Sequence, residues 1–205
     1  MDKIICLVGA SGSGKTTIAK ELEKEGYNII HSYTTRKPRE ENEWGHTFVT
    51  GKVNKYLGFD GRTYLLINNG MIYKPIALKE RYGEAYWATK EQYQGKGISI
   101  YIIDPDGAQQ VKQTVDDAEV ITIFLMADEL ERVNRLEYRL GYNYELANNK
   151  NEKDTHKREV IDRIRKDAEI FSKCQCDYVI DANREIKDIL NDIAFGHVMG
   201  LVNIE

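Results

Sequence analysis

Lys15 and Thr16 close the run Gly9-Ala10-Ser11-Gly12-Ser13-Gly14-Lys15-Thr16, which fits the pattern GxxxxGK[ST]. Each residue type there has a chemical use. A lysine at that position can reach the terminal phosphates of a nucleoside triphosphate, and the threonine hydroxyl can be offered to Mg²⁺. The glycines allow successive backbone N–H groups to turn inward around phosphate oxygens. Ile4 to Val8, just before the run, is an apolar stretch that reads as a buried strand, and Thr17 to Lys24 reads as a helix. Strand, glycine loop and helix form the context this motif requires, and the helix N-terminus adds unpaired donors and the positive end of its dipole. The predicted triphosphate-binding residues are therefore Gly9, Ala10, Ser11, Gly12, Ser13, Gly14, Lys15, Thr16 and Thr17.

A second cluster follows the next strand-like run. Ser32-Tyr33-Thr34-Thr35-Arg36-Lys37-Pro38-Arg39 places two arginines three apart among several hydroxyls. In parallel α/β folds ligands bind at the carboxyl ends of strands. The cluster reads either as a cradle for a phosphate dianion or as a solvated basic loop. Beside a triphosphate site, the first reading points to phosphoryl transfer between two nucleotides.

These residues need a scaffold. Apolar, β-branched runs recur at residues 4–8, 98–103, 120–125 and 178–180, with a weaker one at 27–30. Helical patterns lie between and after them at 15–25, 107–115, 128–140, 156–173 and 184–193. The alternation predicts an α/β fold with a parallel sheet flanked by helices. Two segments break it. Residues 32 to about 88 are rich in Tyr, Gly, Thr and charge and are expected to form an inserted α+β subdomain. Residues 141–155 are polar and are expected to form a mobile flap.

Composition narrows the function classes. The chain has 205 residues, enough for one compact domain with insertions. Its net charge of −4 argues against a general nucleic-acid binder. No apolar stretch approaches the ~20 residues of a membrane span. The apolar start is shorter than a signal-peptide core and runs straight into the glycine loop, so it reads as structure. Cys174 and Cys176 lack the second pair a zinc site needs, so the three cysteines read as reduced thiols of a cytoplasmic protein.

In its ordered motifs the chain resembles the guanylate kinase family of nucleoside monophosphate kinases. After the phosphate loop that family has Ser-x-Thr-Thr-Arg-x-x-Arg, matched by Ser32 to Arg39. It then has Tyr-Gly, matched by Tyr82-Gly83, and Asp-x-x-Gly-Ala-Gln-Gln-Val, matched by Asp104 to Val111. A helix with Arg-Leu-x-x-Arg follows, matched by Arg135, Leu136 and Arg139. A further arginine is matched by Arg163, and Asp-Tyr-Val-Ile by Asp177 to Ile180. The resemblance runs from about residue 4 to 194. It implies a core over residues 1–31, 89–138 and 159–205, a monophosphate-binding subdomain over 32–88, and a lid over 139–158. It further implies transfer of the γ-phosphoryl of ATP to a nucleoside monophosphate, with GMP or dGMP first. By similarity Lys15, Arg135, Arg139 and Arg163 would surround the transferring group, and Thr16 and Asp104 would hold Mg²⁺. Ser32, Arg36, Arg39 and Tyr82 would hold the acceptor's phosphate.

The base site departs from the family pattern. The family's guanine-reading glutamate falls on Tyr73, the Ser or Thr after Tyr-Gly falls on Glu84, and a second aspartate falls on Ile102. The tyrosine that contacts phosphate falls on His46. Glu84 can accept from guanine N1–H and N2–H₂, or from the amine of adenine or cytosine, and Tyr73 can stack on any base. The acceptor-binding set is thus Ser32, Arg36, Arg39, His46, Tyr73, Tyr82 and Glu84. The alternatives are a kinase for another nucleotide or a sugar phosphate, and a non-catalytic binding module of the same fold.

Overall fold

The computed structural model describes residues 1–68, 70–139, 150–172 and 174–199. Residues 140–149 of the predicted lid, the side chain of Arg139 and the end of the tail lie outside the described residues.

The apolar β-branched runs become strands, and the patterns of helical period become helices. β1 (Asp2–Val8) leads through the glycine loop into α1 (Lys15–Lys24), which buries Ile18, Ala19 and Leu22 at helical spacing. β2 (Asn28–Ile29) follows. Seven short strands come next: β3 (Ser32–Thr34), β4 (His46–Phe48), β5 (Val53–Leu57), β6 (Thr63–Ile67), β7 (Ile72–Tyr73), β8 (Pro75–Arg81) and β9 (Glu84–Thr89). The alternation then resumes with β10 (Ile98–Ile102), α2 (Pro105–Thr114), β11 (Ala118–Met126), α3 (Glu129–Arg139), α4 (Lys150–Phe171), β12 (Tyr178–Asp181) and α5 (Ile186–Met199). The main sheet has the order β12-β11-β1-β10-β2, with β10–β2 and β11–β12 paired in parallel. This is the mixed α/β architecture that the alternation predicts.

The chain groups into two compact units, Met1–Cys6 with Leu22–Ile121 and Leu7–Glu21 with Thr122–Glu205. The first unit contains two further sheets, β4-β3-β9-β8 and β5-β6-β7. Their shared core is Leu65, Ile67, Ala85 and Trp87, with Tyr33, Tyr73 and Leu78 packed against it. Residues 32–88 are therefore all strand and loop among the described residues, where an α+β segment was expected. The physical reason is in the sequence: Gly45, Gly51, Gly61, Gly70 and Gly83 take positive φ and turn the chain, and the runs between them are rich in Val, Ile, Thr, Tyr and Trp, which favour strand.

The second unit contains the phosphate loop, α3, α4 and α5. α4 begins at Lys150, six residues before the apolar period becomes visible at His156. Lys and Glu favour helix without any apolar stripe, so periodicity alone misses an all-polar first turn. No helix among the described residues is long and apolar enough to cross a membrane.

Candidate functional site

Each unit contains one candidate site. In the second unit the loop is shaped by close approach. A Cβ on Gly12 would lie 2.8 Å from the Arg132 carbonyl oxygen, and its φ is +82°. Only glycine tolerates both conditions, and its absence of side chain lets the α3 backbone touch the loop. A Cβ on Gly9 would meet the Leu125 carbonyl oxygen at 2.7 Å. Lys15 Nζ arches back over the loop and donates to the carbonyls of Gly9 at 2.5 Å and Ala10 at 2.9 Å. Thr16 and Thr17 are exposed on the first turn of α1.

Arg135 reaches the loop from α3. Its Nη1 donates to the Gly12 carbonyl at 3.3 Å and its Nη2 to the Ala182 carbonyl at 3.2 Å. It also has the i,i+4 contact with Glu131, at 3.9 Å, too long to be its main anchor. A cavity of about 490 Å³ opens there, lined by Gly12, Gly14, Thr17, Asn134, Arg135 and Tyr138. Arg163 is exposed on α4, and Arg139, in the last turn of α3, has its side chain outside the described residues.

In the first unit a cavity of about 280 Å³ is lined by Ser32, Arg36, Arg39 and His46 of the predicted acceptor set. Four polar residues that the motif argument does not pick out line it as well: Lys79, Arg81, Tyr86 and Tyr101. Lys79 and Tyr86 are direct cross-strand partners on β8 and β9. Period-2 alternation on β8, which puts Lys79 and Arg81 on one face with Tyr86 opposite Lys79, was the available signal for these three. Tyr101 is buried, and its hydroxyl lies 3.1 Å from Ser32 Oγ.

Three expected acceptor residues do not line this cavity. Tyr82 and Gly83 are the two central residues of the β8–β9 hairpin, with φ of 53° and 79°, the geometry of a type I′ turn. Tyr82 is 83% exposed under the Arg81 guanidinium, and Tyr86 is the tyrosine that faces the cavity. Tyr73 packs in the core, its ring 5.0 Å from Tyr33 and 5.2 Å from Trp87, and burial raises its pKa. Glu84 accepts from the Tyr86 hydroxyl at 3.0 Å.

Arg36 is the most organised cation of the cavity. It donates from Nη2 to Glu43 Oε1 at 2.7 Å and from Nη1 to Oε2 at 3.1 Å, and both side chains are about nine-tenths buried. Its Nε is buried with no hydrogen-bond partner among the described residues. The Arg36 hydrogen bonds hold the Glu43 carboxyl down at about 2, against an ordinary 4.5. A carboxyl lowered on folding stabilises the fold above its unfolded pKa, and that contribution is lost as pH falls through the folded one. Glu43→Gln should therefore flatten the pH dependence of the melting temperature between about pH 4.5 and 2. Equal slopes in thermal melts of the two proteins would reject the assignment. His46 shares the cavity, with a buried, unpartnered Nδ1. Burial first, and then Arg36, lower its pKa, so the imidazole is neutral at pH 7.

Asp104 is occupied on both oxygens. Oδ1 accepts from Gly107 N at 2.8 Å and caps α2, and Oδ2 pairs with Lys79 Nζ. Among the described residues no group of three or more His, Cys, Asp or Glu side chains is placed to hold a metal. The exposed Thr16 hydroxyl suits a Mg²⁺ ion that arrives with a triphosphate and takes most of its ligands from phosphate and water.

No protein-family model matches the sequence, and no curated protein matches it. Solved structures do match. A guanylate kinase from Anaplasma phagocytophilum aligns over 100% of this chain and 87% of its own, with TM-score 0.56 and 18% identity. The fold is guanylate-kinase-like. A protein from Thermus thermophilus aligns over 98% of this chain and 99% of its own, with TM-score 0.48 and 14% identity. At 18% identity the likeness to the Anaplasma protein establishes the fold alone.

Proposed function

We propose that this chain transfers the γ-phosphoryl group of ATP to a nucleoside monophosphate, with GMP or dGMP as the first acceptors. The observation that carries the reading is Lys15 seated over the carbonyls of the phosphate loop, in a guanylate-kinase-like fold that also contains a cation-lined cavity. Phosphoryl transfer needs positioning and charge neutralisation more than covalent help. Lys15 and Arg135 supply positive charge to the donor phosphates, and Arg139 and Arg163 are assigned the same role by resemblance. Mg²⁺, when bound with ATP, adds neutralising charge on the phosphate oxygens.

On the acceptor side Arg36, Arg39 and Arg81 supply guanidinium groups to a phosphate dianion, and Glu43 holds Arg36 in place. A second reading, a kinase for another nucleotide or a sugar phosphate, is favoured by one observation: neither Tyr73 nor Glu84 lines the cavity.

The deciding experiment is ADP formation from ATP with each nucleoside monophosphate and a set of sugar phosphates. ADP formation that depends on GMP or dGMP is the expected result. Turnover only with some other acceptor selects the second reading, and no turnover with any acceptor overturns the kinase assignment.

A further inference from the structure

α4 turns one face inward at helical spacing: Val160, Ile164, Asp167 and Phe171 lie at i, i+4, i+7 and i+11, with Val160 and Asp167 buried and Ile164 and Phe171 half-buried. Three of these are apolar and one is a carboxylate, which is 9% exposed. A carboxylate on a core-facing stripe is costly unless it is paired and hydrogen-bonded. Asp167 is both. Its Oδ2 accepts from the backbone N–H of Ser11 at 2.6 Å and lies 3.5 Å from Arg132 Nη2. Arg132 in turn donates from Nε to the carbonyl of the same Ser11 at 3.1 Å. The Arg132 and Asp167 side chains are 13% and 12% exposed, so this ring of contacts is largely shielded from water.

The ring holds Ser11 by both its peptide groups. Ser11 is the third residue of the phosphate loop, and its neighbours are held in other ways. Ser13 N donates to the Ala10 carbonyl at 3.1 Å, and Arg132 packs its backbone against Gly12. The orientation of the loop's peptides at this point therefore depends on one carboxylate and one guanidinium. Neither belongs to the GxxxxGK[ST] pattern.

We propose that Asp167 and Arg132 are positioning residues of the donor site: they fix the Ser11 peptide so that the rest of the loop presents its N–H groups to a triphosphate. The inference rests on the reading of this loop as a triphosphate site. Neither residue needs to touch the nucleotide. Their effect is to spare the loop the ordering that binding would otherwise demand, which favours donor affinity and leaves acceptor affinity alone.

The test uses Asp167→Asn, which keeps the shape and an acceptor oxygen but removes the charge, and Asp167→Ala, which removes both. Calorimetric titrations with ATP and with inorganic tripolyphosphate are compared with titrations of GMP. Asp167→Asn should weaken both donor ligands by about tenfold, the scale of one charge-assisted hydrogen bond, and leave GMP binding unchanged. In ligand-free protein the Ser11 amide proton should exchange faster in Asp167→Asn than in the wild type, a readout that does not depend on activity and that still applies if Asp167→Ala fails to fold. Unchanged donor affinity, equal losses for donor and acceptor, or unchanged Ser11 exchange each overturns the positioning role. A wild-type chain that binds neither ATP nor tripolyphosphate overturns the donor-site reading itself, a result distinct from those three.

Discussion

Lys15→Ala lowers the rate of phosphoryl transfer by about 10²–10³-fold, the scale for loss of one preorganised charge at a developing transition state. The melting temperature stays close to that of the wild type. Both halves of this expectation follow from the same geometry. The ammonium donates to the Gly9 and Ala10 carbonyls at 2.5 and 2.9 Å, so it is held at the loop, where terminal phosphates would bind. Lys15 is only part-buried, and water can take over a carbonyl exposed by its removal, so little folding energy is lost. Lys15→Arg does not rescue activity. A planar, forked guanidinium cannot occupy the point-like position of an ammonium donating to adjacent carbonyls. The measurement is steady-state ADP formation alongside a thermal melt. A Lys15→Ala protein that turns over at the wild-type rate removes the loop from the mechanism, and one that fails to fold would show Lys15 to be structural first.

What the sequence reveals and what it hides divide along physical lines. The donor loop is legible because its conformation is dictated locally: Gly12 at φ +82° and Gly14 at φ +92° need glycine whatever surrounds them. The parallel sheet is legible for a similar reason, since buried strands such as Ile4 to Val8 must be apolar throughout. The acceptor cavity is harder to read because it is assembled by strand register. Tyr-Gly at residues 82–83 matches a motif, yet in a two-residue hairpin those positions are the turn itself, and the inward-facing tyrosine comes four residues later. Tyr73 has the right chemistry for stacking on a base, but its strand turns it into the core beside Trp87. A one-residue change of register would have reversed that outcome, and no dipeptide encodes it. Glu43 lies in a polar run without periodicity, so its bidentate pairing with Arg36 carries no sequence signal. Asp167 did carry one: a charge on the apolar stripe of a helix predicts a buried partner, even though it does not say which.

The Arg36–Glu43 pair leads to the other large effect. Arg36→Ala raises the acceptor KM at least about tenfold and also destabilises the fold by about 3–5 kcal/mol, because Glu43 is left buried without its bidentate partner. The two losses have different origins and can be separated. Glu43 is 12% exposed, and among the described residues its hydrogen-bond donors are Arg36 and the Arg39 backbone N–H, at 2.7 Å. Its penalty disappears if the carboxylate is neutralised as well. The double variant Arg36→Met with Glu43→Gln should therefore recover most of the stability lost in Arg36→Ala, since an isolated charge no longer has to be desolvated. Acceptor binding should not recover, because the guanidinium and its buried, unpartnered Nε are both gone. Thermal melts and the KM for the acceptor, measured on Arg36→Met, on Glu43→Gln and on the double variant, close the cycle. If stability and acceptor KM recover together in the double variant, Arg36 is a structural partner of Glu43 and the cavity binds its phosphate through Arg39 and Arg81. If stability recovers while the acceptor KM stays at least about tenfold above wild type, Arg36 supplies charge to the acceptor, and Glu43 is the group that keeps that charge in place.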